Sequence, residues 1–193
     1  MVRWEPAARE RLQSAALELY ASHGFDETTV AEIAHHAGLT ERTFFRHFGD
    51  KREVLFAGQE FQQRFIDELA EARDDTNPLE MIAAAITGAS EFFPDERRPH
   101  SRLRQTVIAA NPELRERELL KMASLATALA AALRGRGVPE PAATLAAESG
   151  VLVFRLSFEQ WLATERSLLD IERELFRQFG ALTAGRAPEP STG

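Results

Sequence analysis

The 193-residue sequence predicts an all-α protein of about nine helices. Apolar residues recur at spacings of three and four, polar capping residues precede these stretches, and Gly or Pro follows them. No stretch has the convincing alternation of a strand. The expected domains are a three-helix unit at residues 1–52, a larger helical bundle at residues 53–185, and a disordered tail at residues 186–193.

The first helix is expected over residues 6–23, and Gly24 ends it. Its apolar face consists of Leu12, Ala15, Ala16, Leu19 and Tyr20. Thr29 and Glu32 have the spacing of a capping box, so a second helix begins there. Gly38 ends this second helix.

Thr40 can cap a third helix, which Gly49 closes. Its inward side carries two aromatic residues four apart, Phe44 and Phe48. Asp50 and Glu53 form another capping-box pattern. This pattern predicts a long fourth helix that continues to about residue 73.

Asn77 and Asn111 each precede a proline, which places a good N-cap before Pro at the first helical position. Together with the apolar periodicity, these signals predict five further helices. They are expected at residues 78–93, 100–110, 112–134, 140–164 and 167–183.

Residues 29–53 have the layout of a helix-turn-helix DNA reader: a short helix, a tight turn at Gly38 and a second short helix. The later of these two helices, which is the third predicted helix of the chain, exposes Thr40, Arg42 and Thr43 near its N-terminal end, where base edges come closest. Arginine can pair bidentately with guanine, and threonine can contact a base edge or a thymine methyl. A solvated basic face on an ordinary helical domain is the competing interpretation.

The net charge of −7 is unusual for a DNA-binding protein. Phosphate binding, however, responds to local charge rather than to the total. The stretch that begins at Glu41 contains only one further acid, Asp50, up to residue 52. Its basic side chains are Arg42, Arg46, His47, Lys51 and Arg52.

At this point the sequence resembles the TetR family of bacterial transcriptional regulators. The similar residues are Ala15–Leu19, Gly24-Phe25, Thr28–Val30, Ile33-Ala34, Ala37–Leu39, Thr43–Phe45, His47-Phe48, Lys51 and Leu55. The resemblance implies a dimer of all-helical subunits. It also implies DNA contacts from Thr28 or Thr29, and from Thr40, Arg42, Thr43, Phe45, His47 and Lys51. Phe45 stands where the family usually has Tyr, so a hydroxyl contact to phosphate is missing there.

The resemblance further implies that the C-terminal bundle binds a small, largely apolar effector that releases the DNA. Residues 102–161 are similar to those of actinobacterial members with acyl-CoA-like ligands. The candidate lining residues are Phe61, Phe65, Ile86, Phe92, Phe93, Leu103, Val107, Leu125 and Phe158. Ordinary core packing is the alternative, because ligand cavities are mostly apolar as well.

Arg155 lies in a segment that is apolar on most sides, so we expect either an anionic ligand there or an ion pair with Glu148 or Glu159. By family analogy the helices at about 140–164 and 167–183 form a homodimer surface. A monomer with a buried C-terminal helix predicts the same pattern.

The sequence therefore predicts a sequence-specific DNA-binding transcriptional regulator, a ligand-released repressor that acts as a dimer on a palindromic operator. The effector would move the long helix that starts at Asp50. A helical protein-interaction module without specific DNA binding is the alternative. No enzyme, cofactor or metal site is expected, because the histidines fall mainly in the DNA-reading region and Cys is absent. A cytoplasmic protein without a membrane span is expected.

Overall fold

The computed structural model describes residues 5–56, 59–73 and 76–184, so the predicted disordered tail lies outside the described residues. The regular structure of the described part is helical, which confirms the all-α fold. Its α-helices are α1 (Glu5–His23), α2 (Val30–His36), α3 (Glu41–His47), α4 (Gln59–Glu71), α5 (Pro78–Ala89), α6 (Arg98–Ala110), α7 (Pro112–Gly135), α8 (Ala142–Ala163) and α9 (Leu168–Thr183). Short 3-10 turns occupy Glu53–Leu55, Ser90–Phe92 and Asp95–Arg97.

Local capping signals predicted several helix starts correctly. Thr29 and Glu32 form a reciprocal capping box at α2, and Asn77 forms one with Glu80 at α5. The hydroxyl of Thr40 accepts the Thr43 N–H at 3.2 Å and caps α3. These starts depend only on residues three apart, so the sequence alone determines them.

The long helix predicted from Asp50 is wrong. The Asp50 carboxylate accepts the N–H groups of Arg52 and Glu53 at 2.8 and 3.1 Å, but the turn that it caps ends at Leu55. The Glu53 carboxylate pairs with Arg117 instead of completing a capping box. The helix α4 begins only at Gln59.

The chain folds into two compact units. Of the described residues, the first contains those within 1–60 and 99–121, and the second those within 61–98 and 122–193. The core of the first unit joins residues of α1–α3 to Val107, Ile108 and Leu114 of α6 and α7. In this unit, α6 and the start of α7 therefore pack with the helix-turn-helix segment.

In the second unit, α5, α8 and α9 pack against one another. Gly150 permits close contact between α8 and α5, because a Cβ at this position would lie 2.1 Å from Cγ2 of Ile82. The remainder of the core comes from α4 and the C-terminal part of α7. Within the described ranges, no helix combines the length and the hydropathy that a membrane span requires.

Candidate functional site

The turn between α2 and α3 is fixed from both sides. Gly38 adopts a φ of +64°, a conformation that a residue with a side chain rarely adopts. The guanidinium of Arg11 on α1 donates to the Ala37 carbonyl. A Cβ at Gly38 would lie 2.8 Å from the Nη2 atom of this guanidinium. The N–H of Gly38 also donates to the His35 carbonyl at 2.9 Å. The conformation of the turn and its contact with α1 therefore determine the orientation of α3 relative to α2.

One face of α3 is buried against the first unit. Phe44 and Phe48 are buried, and their ring centroids lie 5.4 Å apart. Arg9 of α1 donates to the His47 carbonyl at 3.4 Å, and its guanidinium lies 4.7 Å from the Phe48 ring centroid. These contacts determine which residues α3 presents to solvent.

The opposite face of α3 exposes groups suited to contact DNA. Arg42 is exposed, and its guanidinium has no hydrogen-bond partner among residues 5–56, 59–73 and 76–184. The hydroxyls of Thr40 and Thr43 lie 3.0 Å apart at the same end of the helix. Phe45 is 55% exposed, and half-buried His47 has its Nε2 at 3.5 Å from the Arg46 guanidinium. This set can bond base edges, contact sugars and approach phosphates.

Three of the residues predicted to contact DNA are hydrogen-bonded within the fold. Thr28 is 1% exposed, and its hydroxyl donates to the Gly24 carbonyl at 2.7 Å. The Thr29 hydroxyl bonds the Glu32 carboxylate at 2.8 Å. The ammonium of Lys51 donates to the carbonyls of residues 25, 26 and 28 at 2.8, 3.1 and 3.1 Å. Since an ammonium has three N–H groups, a phosphate contact from Lys51 would have to replace one of these bonds.

Two profiles of known families match the chain. One, described as bacterial regulatory proteins of the tetR family, matches residues 12–57, and the other, the MftR C-terminal domain, matches residues 76–187. The chain belongs to the tetR family. The first profile covers the turn between α2 and α3 together with α3, and the second covers all of the described residues from α5 onward.

Several proteins are similar to this tetR-family chain. The regulator TcmR of Streptomyces glaucescens is 36% identical over 40% of the chain and 35% of its own length. The mycofactocin biosynthesis regulator MftR of Mycobacterium tuberculosis is 31% identical over 53% of the chain and 52% of its own length. The chain thus spans about half or less of these relatives. FadR of Thermus thermophilus, solved in complex with lauroyl-CoA, shares the fold, with a TM-score of 0.53, 24% identity, and coverage of 96% of this chain and 98% of FadR.

The second unit of this tetR-family chain contains a network of aromatic rings. Phe61 contacts Phe65 and Phe93 at centroid distances of 5.0 and 6.1 Å, and Phe93 contacts Phe158 at 5.2 Å. Phe154 lies 5.3 Å from Phe65 and extends the network. The same core includes Ile86 and Leu125. The structure therefore brings together six of the residues predicted to line an effector site.

The other predicted effector residues lie elsewhere. Phe92 is exposed and packs beside Phe93 at 5.4 Å. Leu103 is an exposed residue of the first unit, and Val107 is buried in the core of that unit. Leu103 and Val107 lie four residues apart on α6, and helical spacing alone does not report which unit such residues pack in.

Arg155 corrects a second expectation. Its side chain is exposed on α8, so burial imposes no cost that a ligand or partner has to offset. The ion pairs that join described residues include neither of the expected pairs with Glu148 or Glu159.

The buried polar groups of the second unit were missed by the sequence analysis. Glu172 and Ser157 are fully buried, although Glu172 lies four residues from both Leu168 and Phe176 on the apolar face of α9. A carboxylate at that helical spacing was the available signal. Arg98 is also buried, and its guanidinium donates to Asp95 at 2.5 Å and Glu165 at 2.7 Å. These charges stabilise the start of α6.

Proposed function

We propose that this chain is a sequence-specific DNA-binding transcriptional regulator, and that it acts as a repressor. The observation that carries the proposal is the exposed face of α3, where Arg42 is unpaired in the described structure and lies beside the Thr40–Thr43 hydroxyl pair. The buried face and the fixed turn hold this helix rigidly, as major-groove reading requires. The tetR-family profile covers the same residues.

The proposal includes a homodimer formed through α8 and α9. Leucines are exposed on one stripe of α8, at positions 145, 152 and 156, and Leu182 is exposed on α9. An exposed apolar stripe on neighbouring helices favours pairing with a second copy. Two-fold pairing would place two copies of α3 about 34 Å apart, and the operator would be palindromic.

The proposal also includes an effector that binds the second unit and weakens operator binding. The aromatic network of residues 61, 65, 93, 154 and 158 supplies apolar and aromatic contacts for such a molecule. Lauroyl-CoA is the first probe, because the similarly folded FadR was solved with it. Release requires only that the effector bind two states of the dimer with affinities that differ by a few kcal/mol.

Selection from random duplex DNA tests the DNA-reading role. Purified full-length protein is incubated with the library at about 0.15 M salt, and bound duplexes are sequenced. We expect a palindromic motif. Loss of a bidentate arginine–guanine contact costs about 1–3 kcal/mol, so Arg42→Glu should weaken binding to the recovered operator by roughly 10- to 100-fold or more.

Arg115→Glu is the matched control, because Arg115 is an exposed arginine of α7 in the same unit and the charge change is identical. It should bind the operator nearly as well as the unmodified chain. If folded, dimeric protein recovers no motif, specific DNA reading is disproved and the interaction-module alternative gains support. If both variants lose affinity equally, net charge rather than α3 controls binding.

A further inference from the structure

The carboxyl group of Glu172 is buried in the second unit without a cationic partner. The side chain is 0% exposed, and its Oε2 atom hydrogen-bonds to the Ser90 hydroxyl at the end of α5. Its Oε1 atom is buried and has no hydrogen-bond partner in the described part of the chain. Ser90 has a single hydroxyl proton, and the Ile86 carbonyl at 3.2 Å competes for it. Ser90 therefore satisfies the carboxyl only in part.

A second buried polar group lies on α8, which packs against α9. The Ser157 hydroxyl is also fully buried and unpartnered among the described residues. Helices α8 and α9 are consecutive and pack together, with Trp161 clustered beside Ile171 and Phe154 in the same core as Phe176. Ser157 lies between Phe154 and Trp161 on α8, and Glu172 lies between Ile171 and Phe176 on α9, so both groups belong to this packed pair of helices.

Buried polar groups without a hydrogen-bond partner destabilise an apolar core. Burial raises the pKa of Glu172 to about 8, and the Ser90 hydrogen bond opposes this rise. The protein without effector therefore holds this carboxyl mostly neutral at pH 7. Such a group is one that a complementary ligand would satisfy.

No described cation offsets the carboxyl. Ser90, which does not titrate, is the one described residue that hydrogen-bonds the carboxyl, and the charged residues of α8 near Ser157, Arg155 and Glu159, are exposed. Arg98 is already engaged by Asp95 and Glu165. A positive charge at Glu172 would therefore have to come from a bound molecule.

Aromatic rings lie next to this polar group. The N–H of Phe93 donates to the Ser90 carbonyl at 2.8 Å, and the Phe93 ring lies 5.2 Å from that of Phe158. Phe93, Phe158 and Phe176 are half-buried, so the aromatic network extends from the core to the surface of the unit. Ring faces attract cations, and ring edges pack against an apolar body.

We infer that Glu172, with Ser90 and Ser157, forms the polar end of an effector site that binds a protonated amine carried on an apolar or aromatic body. The ammonium would bond the unpartnered Oε1 atom and the Ser157 hydroxyl, and the body would displace half-buried rings. The inference rests on the proposed effector-binding role of the second unit.

Three probes of the same shape test the charge preference: 4-phenylbutylamine, 4-phenylbutan-1-ol and 4-phenylbutanoate. Calorimetric titration of the full chain at pH 8 should show the amine binding at least tenfold more tightly than the alcohol, and the acid most weakly. Because the amine favours the ionised carboxyl, its affinity should rise about tenfold from pH 6 to pH 7. The affinity for the alcohol should stay nearly constant.

Glu172→Gln should abolish both the amine preference and the pH dependence, and it should fold because the amide resembles the neutral carboxyl. Glu174→Gln is the control on the same helix, since Glu174 pairs with Arg177 at the surface, and it should retain both properties. Ser157→Ala is the second variant, and it should weaken amine binding while preserving the pH dependence.

Equal binding of amine and alcohol, or an amine preference that survives Glu172→Gln, would overturn the inference. Measuring operator binding with the same preparations distinguishes a failure of the amine site from a failure of the proposed regulatory function. Protein that binds its operator and is released by lauroyl-CoA, but does not prefer the amine, disproves the amine site alone. If the protein binds the amine selectively but recovers no operator, the result supports the amine site and disproves the proposed role as a DNA-binding regulator.

Discussion

Lys51 shows how a residue that suits phosphate binding can be occupied within the fold. Its ammonium donates to three carbonyls of the loop that precedes α2, and it lies 4.4 Å from the Phe25 ring centroid. We expect Lys51→Met to lower the free energy of unfolding by about 1–2 kcal/mol, because charge-assisted bonds to a partly exposed loop are lost. Chemical denaturation of the purified variant measures this change.

Arg42→Met is the matched comparison for Lys51→Met, since it also replaces a cation by an apolar side chain. It should leave the free energy of unfolding nearly unchanged. The slope of log affinity against log salt separates the two roles, because each phosphate contact contributes about 0.9 to it. A slope reduced by about that amount in Lys51→Met, with unaltered stability, would show that Lys51 binds phosphate as the sequence predicted.

Residues whose partners are close in sequence were predictable, and residues with distant partners were not. The pairing of Thr29 with Glu32 and of Phe44 with Phe48 follows from helical periodicity. Lys51 bonds carbonyls 23 to 26 residues earlier in the chain, and Glu172 bonds Ser90 across 82 residues. Such contacts depend on how helices pack, which a capping or spacing pattern does not encode.

At the scale of elements, the segment after α3 shows that contacts with other helices can prevent a capping residue from starting a long helix. Asp50 is a good cap, but Arg117 of α7 holds the Glu53 side chain and Arg104 of α6 donates to the Leu55 carbonyl at 2.8 Å. These contacts hold a short turn where the sequence predicted a continuous helix. The expected effector-driven movement of a long helix from Asp50 therefore does not apply, because the turn there ends at Leu55.

The contact between α5 and α8 yields a prediction for Gly150→Ala. Alanine normally stabilises a helix interior relative to glycine, but here the new Cβ would lie 2.1 Å from Cγ2 of Ile82. We expect a loss of about 1–3 kcal/mol in the free energy of unfolding. Thermal or chemical denaturation provides the measurement.

Gly180→Ala in α9 is the control for Gly150→Ala, because a Cβ at Gly180 meets no atom within 4 Å. It should stabilise the protein by about 0.5–1 kcal/mol. Combining Gly150→Ala with Ile82→Ala should cost less than the sum of the two single changes, because the new methyl group fills part of the cavity left by Ile82. If the two changes in the free energy of unfolding were strictly additive, the new methyl group would not contact Ile82, and α5 and α8 would have moved apart at this position.

For the whole molecule, the helical fold was predictable but the division into units was less so. Val107, Ile108 and Leu114 form an ordinary apolar helix face in the sequence, yet they complete the core of the unit that contains α1–α3. Periodicity reports that a face is buried and does not report against what. For the same reason, the predicted effector residues Leu103 and Val107 were grouped with rings that belong to the other unit.

The exposed leucines of α8 allow the proposed dimer to be tested without disturbing the core. Leu152 and Leu156 are 44% and 46% exposed, so Leu152→Glu with Leu156→Glu should leave the helical content unchanged. If α8 forms the dimer surface, the double variant should sediment as a monomer. Its operator affinity should fall by about 10²–10⁴-fold, because binding at one half-site no longer brings the second reader close to the DNA.

A matched pair of leucines outside this stripe determines whether the α8 stripe itself causes that loss. Leu119 and Leu120 of α7 are exposed to a similar degree, and their replacement by Glu adds the same negative charge. That variant should remain dimeric and bind the operator. A monomeric α8 variant that binds DNA as tightly as the unmodified chain would show that one copy of α3 suffices, and the palindromic operator would then be unnecessary. A dimer that survives in the α8 variant would place the interface on another surface.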